Sequence, residues 1–255
     1  MFIFWGTKSK IRDLGYVADF CLICRCPRPF RLQRIGLASH VYGVSMGEGK
    51  LLGFNRTCVE CNSAFGADPG TYAKIATKAS PLPSLQADTF PNLESAWGDR
   101  MALETSIQKS PSALTPEVRG KLIREPFLLL SPKVERLSQT IHMDKQVGFS
   151  VLAAIVGGIL AANVVPLIFP DDMSYGVLII GGAGLAWVMW NLATSSRRKV
   201  RREVAPVLAK SLKPLEPTAA ELNSVLSELK RHGHKIGSRL KAEDVDPKSR
   251  PLIAA

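Results

Sequence analysis

Five cysteines stand in the first 61 residues, as Cys21-Leu22-Ile23-Cys24-Arg25-Cys26 and Cys58-Val59-Glu60-Cys61, and none follows. Two Cys-x-x-Cys pairs separated by 33 residues suit a metal ion. A tetrahedral Zn2+ takes four thiolates, and each two-residue spacing lets one tight turn aim two sulfurs at a point. Ligands at Cys21, Cys24, Cys58 and Cys61 would close the coordination sphere and leave no position for an activated water. The ion expected is therefore structural zinc, with iron as its competitor. A redox pair needs one Cys-x-x-Cys in a βαβ setting, and here both pairs adjoin strand-like segments. Cys26 departs from the pattern: it could replace Cys24, remain a spare thiol beside the metal, or take no part. The repeated spacing favours Cys21 with Cys24.

The chain between the pairs must bring them together. Pro29–Leu37 alternates apolar and polar residues, His40–Ser45 follows, Gly47-Glu48-Gly49 reads as a turn, and Lys50–Thr57 returns to the second pair. That pattern predicts antiparallel strands. With Phe4-Trp5-Gly6, Tyr16–Cys21 and His40-Val41-Tyr42, the region resembles a zinc ribbon. More narrowly, it is similar to the ribbon that opens a family of bacterial membrane proteins without an assigned activity. The resemblance implies, over residues 1–67, two knuckles joined by a β-hairpin with the four ligands named above. A segment this short has a marginal core, so the metal would supply much of its stability.

Other chemistry is thin. Gly43–Leu51 misses a phosphate loop by one residue and puts Leu51 where Ser or Thr belongs. His232-Gly233-His234 has no nearby carboxylate or cysteine, and His40 and His142 stand alone. There is no Ser/His/Asp set, carboxylate pair or dinucleotide turn, so no enzyme is expected. Arg25, Arg28, Arg31 and Arg34 recur every third residue; with Phe30 they could form a cationic face for nucleic acid, for an acidic protein or lipid surface, or simply for water.

Two uncharged runs, 147–169 and 175–193, flank the link Pro170-Asp171-Asp172-Met173-Ser174. As helices rising ~1.5 Å per residue, each reaches roughly 30 Å, which predicts a transmembrane hairpin. Arg197, Arg198, Lys199, Arg201 and Arg202 after the second run, with Lys133, Arg136 and Lys145 before the first, predict both termini in the cytoplasm. Together with the bacterial family that the resemblance implies, the expectation is a multi-pass protein of a bacterial inner (cytoplasmic) membrane, partnered by the lipid bilayer. Phe169, Tyr175, Trp187 and Trp190 would mark the interfaces. Small residues (Gly157, Gly158, Ala161, Ala162; Gly181, Gly182, Gly184) suit packing of the hairpin on itself, or a homo-oligomer. The absence of ionisable groups inside the runs argues against transport. Net charge is +11, with +5 in residues 1–67, +1 in 68–146 and +7 in 197–255.

The fold class expected is α+β: a ribbon over 1–67, a proline-bearing linker over 68–91, a helical stalk over 92–146, the hairpin over 147–193, and a basic helical arm with a loose tail over 194–255. Within that arm, Leu222, Val225, Leu226 and Leu229 share one helix face, to pack on the stalk or meet a partner. The function expected is a membrane-anchored zinc-ribbon protein-interaction or regulatory module, its protein partner unidentified. The alternatives are a tethered nucleic-acid binder and a thiol-redox or zinc-dependent enzyme using Cys26.

Overall fold

The computed structural model describes residues 5–41, 44–110, 114–140, 143–168 and 173–246, of which 41, 45–46, 161, 164–168 and 173–178 are described by backbone alone. Strands β1 (Trp5–Cys21), β2 (Cys26–Val41), β3 (Val44–Cys58) and β4 (Ala64–Gly66) form an antiparallel sheet in sequence order. Cys21 faces Cys26 and Phe30 faces Cys58 across the ladder, so both knuckles come to one end. Val17, Phe20, Phe30 and Leu32 are buried at that end, whereas Trp5, Ile11 and Val44 are exposed at the other.

Two irregularities shape the sheet. The turn expected at Gly47–Gly49 is a bulge: Leu37 faces Lys50 and Ser39 faces Met46, so residues 47–49 are extruded opposite Ala38. Strand β2 ends at Val41 and β3 begins at Val44, and residues 42–43 lie outside the described residues. On β1 the register slips between Asp13 and Gly15. Gly15 sits at φ 147°, and a Cβ there would lie 2.3 Å from the carbonyl oxygen of Ala76. That close approach lets Tyr16 and Ala76 exchange backbone hydrogen bonds of 2.7 and 3.0 Å.

The chain divides into two compact units, one of Met1–Leu122 with Lys210–Glu216, the other of Ile123–Ala209 with Pro217–Ala255. In the first, a 3-10 turn (Pro69–Thr71) precedes α1 (Leu82–Thr89), α2 (Leu93–Ala96) and α3 (Gly98–Lys109). Helix α1 lies inside the stretch read as a linker. Its prolines stand at the helix start, Pro81 at the cap and Pro83 in the first turn, where the missing N–H costs nothing. Leu85 is buried, and Thr89 Oγ1 accepts from the backbone N–H of Ala18 at 2.9 Å.

Helix α4 (Pro116–Gln139) runs through Pro132 and through Pro126, a residue type that ordinarily interrupts a helix interior. In the second unit its buried residues Ile123, Phe127, Leu130 and Val134 recur at helical spacing, and that burial outweighs the ladder bonds the prolines lack. Helix α5 (Lys145–Ile168) packs against α6 (Met173–Glu203), with Gly184 close to Ala154 and Phe149 edge-on to Trp187. Asp144 caps α5 by accepting from Val147 N–H at 2.9 Å and pairs with Arg198. Helix α7 (Ala205–Leu212) and a 3-10 turn (Lys213–Leu215) lead to α8 (Ala219–Arg231), α9 (Lys235–Arg239) and α10 (Ala242–Val245). Thr218 and Glu221 close a capping box on α8, whose Leu222, Val225, Leu226 and Leu229 are buried. Gly233 at φ 80° ends it, with Gly233 N–H bonded to the Lys230 carbonyl and His234 N–H to that of Leu229.

The transmembrane hairpin expected over 147–169 and 175–193 is overturned. Among the described residues, no helix is long and apolar enough to cross a membrane. Helix α6 is diluted by Gly181, Gly182, Gly184, Asn191, Thr194, Ser195 and Ser196 and continues without a break into the cationic stretch ending at Glu203. The bacterial inner-membrane localisation with two cytoplasmic termini falls with the hairpin. Phe169, Pro170, Asp171 and Asp172 lie outside the described residues, as do Met1–Phe4 and His142.

Candidate metal centre

Each knuckle is one turn grown on a strand end. The N–H of Arg25 bonds to the carbonyl of Cys21 at 2.7 Å, and that of Asn62 to the carbonyl of Cys58 at 3.0 Å. Arg25 and Asn62 are both left-handed, at φ 58° and 53°. The two turns are thus built alike, four residues from the first cysteine. Asparagine tolerates that conformation, whereas arginine pays about 1 kcal/mol for it. In the first knuckle the N–H of Cys24 also points at Cys21 Sγ, 3.3 Å away.

The register then gathers the four sulfurs. Cys21, Cys24, Cys58 and Cys61 place their Sγ atoms within 4.8 Å of one another in a β-rich setting, an arrangement consistent with a zinc-ribbon-like site. Cys21 and Cys61 sulfurs are 3.6 Å apart, and those of Cys24 and Cys58 4.0 Å. A tetrahedron with metal–sulfur bonds of about 2.3 Å has edges of about 3.8 Å, between those two distances. The residues therefore fit a tetrathiolate ion. All five cysteines are free thiols. Cys26 stands outside the group, its thiol donating to the carbonyl of Cys24 at 3.3 Å.

Four thiols this close share protons unequally. Hydrogen bonds from Cys21, then Cys24 and Cys58, push the Cys61 thiol far down, and bonds from Cys21 and Cys24 lower Cys58 to about 7. Bonding to Cys24, Cys58 and Cys61 together with burial drives Cys21 up. Cys24 is lowered by its bond to Cys21 but raised more by Cys58, Cys61 and burial. Thiolate charge thus already collects on the second knuckle.

Cations stand beside the first knuckle. Burial lowers Arg28, but Cys26, Cys24 and Glu60 outweigh it and hold the guanidinium charged. Lys210 binds Glu60 at 2.8 Å, which lifts the ammonium and depresses the carboxyl. Four thiolates on a divalent ion leave two net negative charges, which such neighbours offset.

The four arginines at three-residue spacing do not share a face. A strand alternates sides, so Arg31 and Arg34 point oppositely. Arg31 is near Asp13, Arg34 near Glu48, and Arg25 is buried against Glu104. His234 bonds to Ser131 at 3.1 Å and joins no metal group among the described residues.

Sequence reasoning also missed a brace behind the centre. Asp19, two residues before Cys21, is 1 % exposed. Its carboxylate accepts from Phe20 N–H (2.7 Å), Trp97 Nε1 (3.0 Å), Tyr72 O–H (2.6 Å) and Arg56, the residue two before Cys58. Burial first, then the bond to Asp19, pushes the Tyr72 phenol up. No motif spacing links positions 19, 56, 72 and 97, so only folding could reveal them. Compared with protein-family models, curated proteins and solved structures, the chain matches none.

Proposed function

We propose that Cys21, Cys24, Cys58 and Cys61 hold one structural Zn2+, and that the ribbon so held serves as a protein-interaction or regulatory module. The observation that carries this reading is the sulfur spacing, which brackets a zinc tetrathiolate while leaving no ligand position open for chemistry. The interaction half is supported by the far end of the ribbon, where Trp5 is 83 % and Val44 71 % exposed although the knuckle end is buried. Elemental analysis of purified protein should find one zinc per chain, lost on Cys58→Ser. Purified protein without bound metal that keeps the native ribbon spectrum would defeat the reading. A partner bound by the native chain and lost on Trp5→Ala with Val44→Ser would locate the contact.

A nucleic-acid partner is the second reading. It rests on Lys8, Lys10 and Arg12, which alternate along β1 and so share a face. Fluorescence anisotropy with single-stranded RNA and DNA tests it: binding should weaken steeply with salt and with Lys8→Ala, and salt-independent or absent binding removes it.

A further inference from the structure

We propose that the ion works a latch. With metal bound, both knuckles grip the chain at Lys210–Ser211 and keep the stretch 210–216 folded on the ribbon; without it the stretch is released. The inference rests on the zinc reading above.

One residue from each knuckle reaches this stretch. From the first, the Arg25 guanidinium is 3 % exposed and every nitrogen is engaged. Nε donates to the Ser211 carbonyl at 2.7 Å, Nη1 to Glu104 Oε1 and Oε2 at 3.2 and 3.0 Å, and Nη2 to the Leu122 carbonyl at 3.2 Å. From the second, Glu60 holds Lys210 Nζ at 2.8 Å. Adjacent residues are therefore tied to two turns by residues that lie 35 positions apart in sequence, Arg25 and Glu60. The ion is what fixes those turns to each other.

Arg25 makes the grip conditional. Its left-handed backbone persists only while the surrounding turn over-determines it. Coordination of Cys21 and Cys24 closes that turn, and losing the ion lets it open and Arg25 relax to ordinary φ. The guanidinium then leaves Ser211, Leu122 and Glu104, which stays buried with Arg100 as its remaining partner. Leu212 and Leu215, both fully buried, lose the anchor immediately before them. Metal occupancy is thereby converted into exposure of an apolar segment about 150 residues away in sequence from the nearer knuckle.

Hydrogen exchange on the full chain, loaded with one zinc or stripped by chelator, tests the latch. Stripping should speed exchange across 208–216 about tenfold or more while leaving α8 unchanged. Metal content measured on the same samples separates the two failures. A chain that never holds metal sinks the zinc reading, whereas a chain that loads and strips with 208–216 equally protected sinks the latch alone. Arg25→Gly keeps the turn, because glycine adopts φ 58° without steric cost, but removes the guanidinium. It should retain one zinc and show stripped-like exchange at 208–216 when loaded. If Arg25→Gly loses metal, Glu104→Gln, which leaves the knuckle backbone intact, replaces it. Loaded variants with native protection at 208–216 overturn the proposal.

Discussion

Replacing Asp19 with alanine should be among the most damaging single changes in the ribbon that spare every cysteine. The carboxylate gathers four donors on two oxygens in a site closed to water. Alanine would strand the Tyr72 hydroxyl and the Trp97 N–H, at about 1–3 kcal/mol each, and leave Arg56 partly buried without its counter-charge. Arg56 is 17 % exposed, so water recovers some of that loss. We expect a net cost of about 3–5 kcal/mol. With a urea slope of about 2 kcal/mol/M, the midpoint should fall by about 2 M. Asp19→Asn keeps an acceptor but loses the charge, and should cost about half as much. Tyr72→Phe removes one O–H and leaves the carboxylate three donors, at about 1 kcal/mol. Urea unfolding of the metal-loaded protein, followed by Trp97 fluorescence, measures the series. A cost under about 1 kcal/mol for Asp19→Ala, or a reversed order, would refute the idea that this network braces the two strands that carry the knuckles.

Cys26→Ser should leave one zinc per chain, since the Cys26 thiol meets the Cys24 carbonyl and Arg28 and stands outside the four-sulfur group; loss of metal on elemental analysis would make Cys26 a ligand. Acid should release the metal before it breaks the ion pairs. Cys58, held down near 7 rather than its ordinary 9, favours thiolate, so its contribution is present above that range and is lost as pH falls through about 7. Glu60 and Asp144 are held below their ordinary values by hydrogen bonds from Lys210 and Arg198; their contributions persist until the pH falls through those lowered values. A Co2+-loaded sample should lose its thiolate-to-metal absorption as the pH falls and protons compete with the ion for the thiolates, while helical circular dichroism holds. Simultaneous loss would contradict the order. Gly15→Ala should cost about 2 kcal/mol or more, because the new methyl meets the Ala76 carbonyl at 2.3 Å and φ 147° suits glycine. Thermal melting checks it.

What the sequence made legible was local chemistry with a fixed spacing. The two-residue gap between Cys21 and Cys24 is repeated at Cys58 and Cys61, and the period-2 pattern between them is enough to bring four sulfurs to one place. The stripe Leu222, Val225, Leu226, Leu229 was legible for the same reason. Proline misled in both directions. Pro81 and Pro83 read as a linker yet open a helix, and Pro126 reads as a break yet is carried through by the buried face on either side of it. Length misled over 147–193, where an uncharged run was weighed by its extent and its glycines, Asn191 and the polar residues after it were discounted. Arg25 was the least legible. Three-residue spacing grouped it with surface arginines, but its position between two cysteines puts it in a left-handed slot, and the slot turns its side chain inward toward Glu104, 79 positions away. No periodicity encodes such a pair, because it follows from how the metal-bearing turn is closed. If metal closure sets the Arg25 conformation, and that conformation sets what Glu104 and Ser211 can bind, then the residues between the ligands carry the consequence of metal binding outward, and the ligands themselves only begin it.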